Sequence, residues 1–383
     1  MNAPLIPACI PWQDSGVPEE ILSHSLAGLS QSIFASLGLN DVQNFCGLQE
    51  SKRTVLILID GLGYNSLNQY SEVFPIFKNF ISSDPLRSHF PTTTATNLVS
   101  LGTGELPGVH GMLGYTVRVP RSGEPGRLLN ALKWDERVDP VVWQSVPTLY
   151  ERAGKAGIEI SHIAEKRYEG SGFTQAGMRG AQYIGANHVH EMIDGARSAH
   201  LRERSYSYIY LNSVDSAGHA HGVGSERWLS ALSSVAELLD GLVKALPTDT
   251  DIYLTADHGM INVEEKIILG EGNNLLENVT LIGGEARARH IYLREGSALE
   301  TAAMWREHFG SSVEIFTKSD AVKLFGSVVT EDSLDRMGDL IAVPNGGIVL
   351  LDPAIASKET LMVGHHGGFT QDEVLIPLLS YRT

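Results

Sequence analysis

Three apolar, strand-like runs in this chain each end on a carboxylate. Val55-Leu56-Ile57-Leu58-Ile59 leads into Asp60-Gly61, and Asp251-Ile252-Tyr253-Leu254-Thr255-Ala256 leads into Asp257-His258-Gly259. Tyr208-Ile209-Tyr210-Leu211-Asn212-Ser213-Val214 leads into Asp215, with His219 four residues on. Charged and imidazole groups set against an apolar core are costly unless something pairs with them. Strand ends of an open α/β sheet are also where ligands and catalytic groups collect. Three acids delivered to one sheet edge repel one another, and a cation between them resolves the conflict. His365-His366-Gly367-Gly368 adds a late imidazole pair. Oxygen and nitrogen donors without thiolate suit Zn²⁺ in an open catalytic site, or Mn²⁺. Divided between two such ions, these donors would form the clamp that suits displacement at phosphorus. Singly, a strand-end Asp is an ordinary turn former or helix cap, and His89, His110, His188, His190 and His200 read as core or surface residues. The joint pattern is what points to metal.

A hydroxyl-rich stretch, Phe90-Pro91-Thr92-Thr93-Thr94-Ala95-Thr96-Asn97, reads as the start of a helix. A threonine hydroxyl is a weak nucleophile until a metal or base activates it. The peptide N–H groups of a helix start also receive phosphate oxygens. Spacing leaves Thr92, Thr93, Thr94 and Thr96 equally open as the reactive group.

The elements that must position these residues follow from periodicity. A helix is expected from the Gly16-Val17-Pro18-Glu19-Glu20 start to Gly38, a buried strand at 53–59, and a helix over 63–82 interrupted at Pro75. Residues 105–145 read as a loop over the site. Beyond them come helix 147–156, strand 157–163, loop 165–182, helix 188–203, strand 206–214, helix 225–246 and strand 251–256. Such alternation argues for an α/β fold with a mostly parallel sheet. Residues 263–345 carry their own small α/β pattern and read as an inserted cap on a core of 1–262 and 346–383. A closing strand is expected at Leu375–Leu379. Lys166, Arg167 and Arg179 are cations that could reach a substrate, with a solvated loop as the alternative.

With 383 residues, 43% of them hydrophobic and 19% charged, the chain has the composition of a globular protein with a large core. A net charge of −16 disfavours a nucleic-acid polymer as partner. A small anionic substrate fits, because two divalent ions outweigh three carboxylates. The two cysteines, Cys9 and Cys46, supply no disulfide framework and no thiolate zinc cluster. No signal-peptide pattern or membrane span is read from the sequence, so a cytoplasmic location is expected.

The order of Ile59-Asp60-Gly61-Leu62, Phe90-Pro91-Thr92-x-Thr94-x-x-Asn97, Val214-Asp215-x-x-Gly218-His219, Thr255-Ala256-Asp257-His258-Gly259-Met260 and His366-Gly367-Gly368 resembles the nucleotide pyrophosphatase/phosphodiesterase branch of the alkaline phosphatase superfamily. The resemblance spans about 55 to 370. It implies a three-layer α/β/α core, two zinc ions and a covalent phosphothreonine. It selects Thr94 as nucleophile and assigns Asp60, Thr94, Asp257 and His258 to one ion. Asp215, His219 and His366 fall to the other, with His365 and His221 as neighbours. Tyr115 stands where the family places an asparagine that holds a phosphoryl oxygen, so its hydroxyl is expected either to serve that oxygen or to be structural. A small phosphate ester or pyrophosphate is the expected substrate. A C–P hydrolase or monoesterase of the same superfamily, and a metal-dependent binding protein without turnover, are the alternatives.

Overall fold

The computed structural model describes residues 18–123 and 126–383. The irregular leader read into residues 1 to about 18, with Cys9, therefore lies outside the described residues. The centre is a seven-stranded sheet in the order Ile81–Ser82, Leu379–Arg382, Thr250–Thr255, Arg53–Ile59, Ser205–Leu211, Glu159–Ala164, Gln182–Gly185. The last five of these run parallel. Leu379–Arg382 runs antiparallel to Thr250–Thr255, and Ile81–Ser82 antiparallel to it in turn. The α/β class expected from the alternation is observed, as a three-layer α/β/α core.

Continuous apolar runs fit strands covered on both faces. Val55 through Ile59 are fully buried, as are Ile252 and Leu254. Register then fixes which residues emerge together. Leu58 pairs with Thr255 and Ile59 with Leu211, so Asp60 and Asp257 leave the sheet side by side at its carboxyl edge. Among the covering helices, Glu226–Ala245 buries Trp228, Leu232, Val235, Leu238, Leu239 and Leu242, the stripe of an amphipathic helix.

A second, antiparallel sheet lies within the 263–345 stretch, in the order Val279–Glu285, Ala288–Leu293, Leu340–Pro344, Val313–Thr317. Its strand at 340–344 shows how it is seated. Leu340 and Ala342 pack with Trp305 of the Ala298–Phe309 helix, whereas Ile341 and Val343 join the main core. Alternation along a strand puts these pairs on opposite faces, so the sheet is sandwiched between its own helix and the body of the protein.

Several expected elements differ. The first helix is split into Pro18–Ser23 and Leu26–Ser36, because Ser25 starts a new helix by accepting from the Gly28 N–H. Instead of one helix over 63–82 there is Tyr64–Tyr70, two 3₁₀ turns divided before Pro75, and the edge strand Ile81–Ser82. The 105–145 segment is no simple loop. It holds a hairpin of Thr116–Val119 with Arg127–Asn130 and the short helices Pro107–His110 and Pro140–Trp143. Loop 165–182 contains the helix Gly172–Gly177 and runs into an added sheet strand, Gln182–Gly185. The closing strand is divided into Leu375–Ile376, antiparallel to Leu86–Arg87, and Leu379–Arg382 in the main sheet. Strand 206–214 ends at Leu211, and Asn212 opens the helix Ser213–His221. Asp215 therefore sits in the first turn of a helix rather than at a strand end.

Candidate metal centre

Asp60 follows the central strand directly, and its Oδ2 accepts the Tyr210 hydroxyl proton from the neighbouring strand. Burial, then the charges of Asp60 and Asp257, hold the Tyr210 phenol well above its usual range, so it stays a donor. Gly61 has φ +73, and a Cβ there would stand 2.9 Å from Asp215 Cβ. Glycine at this turn is what lets the Asp60 and Asp215 elements approach. On the other flank, Asp257 Oδ1 accepts from the N–H groups of Gly61 at 3.2 Å and His258 at 3.0 Å. Its Oδ2 is buried without a hydrogen bond.

His258 Nε2 lies 3.3 Å from Asp60 Oδ1, 3.7 Å from Asp257 Oδ2 and 3.2 Å from Thr94 Oγ1. Burial opposes a charge on this ring, but Asp257, Asp60 and Asp215 outweigh it and raise its pKa to about 10. Burial, then the charge of Asp60, holds the carboxyls of Asp215 and Asp257 well above the usual range.

Thr94 opens the helix Thr94–Thr103, and its Oγ1 lies 3.3 Å from Asp60 Oδ1. The other hydroxyls of the cluster are elsewhere. Thr92 donates to the Gly368 carbonyl and accepts from the Gly367 N–H, which stitches this loop to the one carrying His366. Thr93 is the N-cap residue but makes no side-chain cap, leaving the first N–H groups of the helix to other partners. Thr96 Oγ1 is buried without a hydrogen bond. Asn97 braces the approach, donating to the carbonyls of His89, Pro91 and Thr93 and accepting from the His89 N–H.

Asp215 and His219 share one helix face, with Nε2 3.3 Å from Oδ1 and side chains 14% and 22% exposed. His219 Nδ1 lies 2.8 Å from the Gly364 carbonyl, and His366 Nδ1 lies 2.8 Å from that of Thr92. Burial, with repulsion from His258, keeps both rings neutral. A neutral imidazole has one N–H, and a carbonyl as sole partner assigns it to Nδ1. The two Nε2 atoms then face each other as acceptors, 3.2 Å apart. Asp215 Oδ1 stands 3.7 Å from His366 Nε2 and has no hydrogen bond of its own. Two imidazole lone pairs and a carboxyl oxygen thus converge, and a cation is the partner such a set fits. Carbonyl-oriented Nδ1 atoms are also the usual support of metal-binding imidazoles.

Ligand atoms of Asp60, Asp257 and His258 lie within 4.8 Å of one another, and so do those of Asp215, His258 and His366. His258 belongs to both groups, and its ring stacks on His366 with centroids 3.7 Å apart. The residues expected from the sequence are thus brought together, except Tyr115. Among the described residues, no hydrogen bond joins the Tyr115 hydroxyl to the cluster. Its backbone N–H instead donates to Glu285 Oε2 at 2.9 Å. His365 packs against His219 with the rings nearly perpendicular, and its Nε2 has no hydrogen bond. His221 is exposed. Of the three loop cations, Arg179 is occupied by Glu151 and the Ala176 and Val146 carbonyls. Arg167 pairs with Glu165 and lies over the Tyr168 ring. Lys166 is exposed. Tyr210 and Glu285 were not picked out by sequence reasoning. The alternation Tyr206, Tyr208, Tyr210 placed Tyr210 on one strand face, but Glu285 carried no signal.

Residues 54–369 match the model of the type I phosphodiesterase / nucleotide pyrophosphatase family. The mouse ectonucleotide pyrophosphatase/phosphodiesterase family member 1 is 26% identical over 268 residues, and its human counterpart is 26% identical over 267. Each match covers 62% of this chain and 27% of the relative, so the chain spans about a quarter of those proteins. Among solved structures, murine ectonucleotide pyrophosphatase/phosphodiesterase 5, an inactive threonine-to-alanine variant in complex with AMP, superposes with a TM-score of 0.67 at 17% identity. That match covers 86% of this chain and 88% of the other. The human protein of the same name gives 0.66 at 18% identity. Among the described residues, no helix is long and apolar enough to cross a membrane.

Proposed function

Since the chain belongs to the type I phosphodiesterase / nucleotide pyrophosphatase family, we propose that it hydrolyses phosphodiester or pyrophosphate bonds of small molecules in a metal-dependent reaction with Thr94 as nucleophile. The observation that carries this reading is the face-to-face approach of the His219 and His366 Nε2 atoms beside Asp215 Oδ1, three ligand atoms converging from three segments. Asp60, Thr94, Asp257 and His258 would hold one divalent ion, and Asp215, His219 and His366 the other. Zinc is the expected element, with manganese as the alternative. Bound there, the ions supply positive charge to the attacking and leaving oxygens.

The chain's own groups supply the rest. The Asp60 oxygens lie 3.3 and 3.5 Å from Thr94 Oγ1, and that carboxylate is placed to take its proton, while His258 Nε2 stands 3.2 Å from the same hydroxyl and helps to hold it. The Thr94 oxygen attacks phosphorus, the bond to the leaving oxygen breaks, and a phosphothreonine forms. Water then attacks the same phosphorus, the bond to Oγ1 breaks, and the hydroxyl is restored. N–H groups at the start of the Thr94–Thr103 helix face the phosphoryl oxygens. AMP bound to an inactive threonine-to-alanine relative supports a nucleotide-like ligand and a threonine role.

Thr94→Ala tests the reading. It should lower kcat at least ~10³-fold while elemental analysis finds the same two metal equivalents per chain. Unchanged turnover in that variant removes the nucleophile assignment. Metal-free protein unaffected by added zinc or manganese removes the centre. The engagement of the Tyr115 backbone by Glu285 keeps a monoesterase or C–P hydrolase in play. Relative rates on bis(p-nitrophenyl) phosphate, p-nitrophenyl phosphate and phosphonoacetate separate these.

A further inference from the structure

The second sheet sets the turn of its first hairpin, Glu285 to Ala288, against the Gly367-Gly368 segment that follows His366. Two buried side chains of that turn grip two different loops. Glu285 Oε2 accepts from the Tyr115 N–H at 2.9 Å. Arg287 makes a two-pronged ion pair with Glu373, Nε to Oε1 at 3.0 Å and Nη2 to Oε2 at 2.7 Å, with both side chains fully buried. Glu373 in turn accepts from the Gly368 N–H at 2.8 Å, two residues beyond His366. Glu285 is held between glycines of both loops. A Cβ on Gly367 would stand 2.7 Å from Glu285 Cγ, and one on Gly114 would stand 3.5 Å from Glu285 Oε2. Nearby contacts repeat the arrangement: Thr116 Oγ1 donates to the Gly284 carbonyl, and His290 Nε2 lies 3.1 Å from the Leu113 carbonyl.

We propose that Glu285 is a positioning residue that fixes the Leu113–Tyr115 loop against the loop carrying His366, so that the second sheet sets how the phosphoryl group is received. This rests on the hydrolase reading for its catalytic consequence, though not for its effect on the loop. The reasoning is one of accounting for backbone. A loop that must hold its shape beside a substrate needs its N–H groups paired, and here the partner comes from 170 residues away in sequence. Burial lifts the pKa of the Glu285 carboxyl to about 8, and the bond to the Tyr115 N–H uses a carboxyl oxygen that accepts whether or not the acid is ionised. Glu285 Oε1 is buried without a hydrogen bond, so the side chain's hydrogen bonding is directed to Tyr115 through Oε2.

The test compares Glu285→Ala and Glu285→Gln, since glutamine keeps an acceptor for the Tyr115 N–H. Amide exchange of the 112–117 segment in the metal-loaded protein is the first readout. Glu285→Ala should speed exchange at Tyr115 about tenfold, the loss of a single buried hydrogen bond, while Glu285→Gln stays within about twofold of the parent. With turnover in hand, Glu285→Ala should raise KM for bis(p-nitrophenyl) phosphate more than it lowers kcat, at unchanged metal content, and glutamine should restore it. Unaltered exchange in Glu285→Ala, or a glutamine variant as impaired as alanine, overturns the proposal. If the parent protein hydrolyses none of the phosphate esters, the hydrolase reading falls while the exchange comparison still decides the role of Glu285 in the loop.

Discussion

At the scale of single residues, the centre is a set of acceptors whose geometry is held by donors one step away. The Tyr210 hydroxyl on Asp60 is the clearest of these supports. Removing an outer partner of a ligand typically costs ~10–100-fold in metal affinity or activity, and Tyr210→Phe should fall in that range. A chelator competition titration with zinc measures it, and unchanged affinity means that Asp60 is oriented by something else. The acids themselves set a pH dependence. Without ions, Asp215, Asp257 and His258 all hold their protons to higher pH than usual. An ion must displace those protons, so affinity should rise with pH and binding should release protons. Calorimetric titration in buffers of differing ionisation enthalpy counts them. Asp60, Asp257 and His258 were legible in the sequence because a buried strand followed by a charged pair has few structural explanations. By spacing alone Thr94 was not separable from Thr92, Thr93 and Thr96, since all share a chemistry; the motif resemblance singled it out, and it is Thr94 whose Oγ1 lies beside Asp60 and His258.

At the scale of elements, the site depends on how closely the helix Thr94–Thr103 is seated. A Cβ at Gly102 would come within 1.9 Å of the Gly177 carbonyl oxygen on helix Gly172–Gly177. Because the obstacle is backbone, Gly102→Ala must push the two helices apart. The expected cost is ~1–3 kcal/mol of stability, together with reduced turnover although the substitution lies eight residues from Thr94. Urea unfolding and steady-state rates check both, and a variant with normal values on each shows that the helix pair yields without consequence. The same scale explains what the sequence concealed. Asn212-Ser213-Val214 continues an apolar-looking run, so the strand was extended through it, yet Asn212 starts a helix whose first turn carries Asp215. The hairpin within 105–145 was obscured by its many turn residues. Glu285 ended a short strand like any other, and its partner is a peptide N–H, which leaves no mark on composition or spacing.

For the whole molecule, the proposed metal centre would also be a structural centre, because it would join segments near residues 60, 94, 215, 258 and 366 that otherwise carry mutually repelling groups. Stripping the ions should therefore lower the melting temperature, and zinc at 100 times its dissociation constant should restore ~2.7 kcal/mol. Scanning calorimetry with and without a chelator measures this; identical melting curves would mean that the ions, if bound, favour folded and unfolded chain alike. We further propose that 263–345 is an inserted unit on the core, although its central strand at 340–344 contributes to both cores. Its sheet is thus a poor candidate for independent folding.

The antiparallel neighbour of the Asp257 strand is Leu379–Arg382, and the centre draws its late imidazole from His366. During synthesis, a nascent chain displays Asp60 for the time taken to add some three hundred residues, roughly 15–60 s at ordinary ribosomal speeds. Throughout that interval the proposed ligand set lacks a member, and the Thr250–Thr255 strand, once made, lacks a neighbour on one side until residues 379–382 follow. The open strand edge and the proposed ligand set are therefore both completed only late in synthesis.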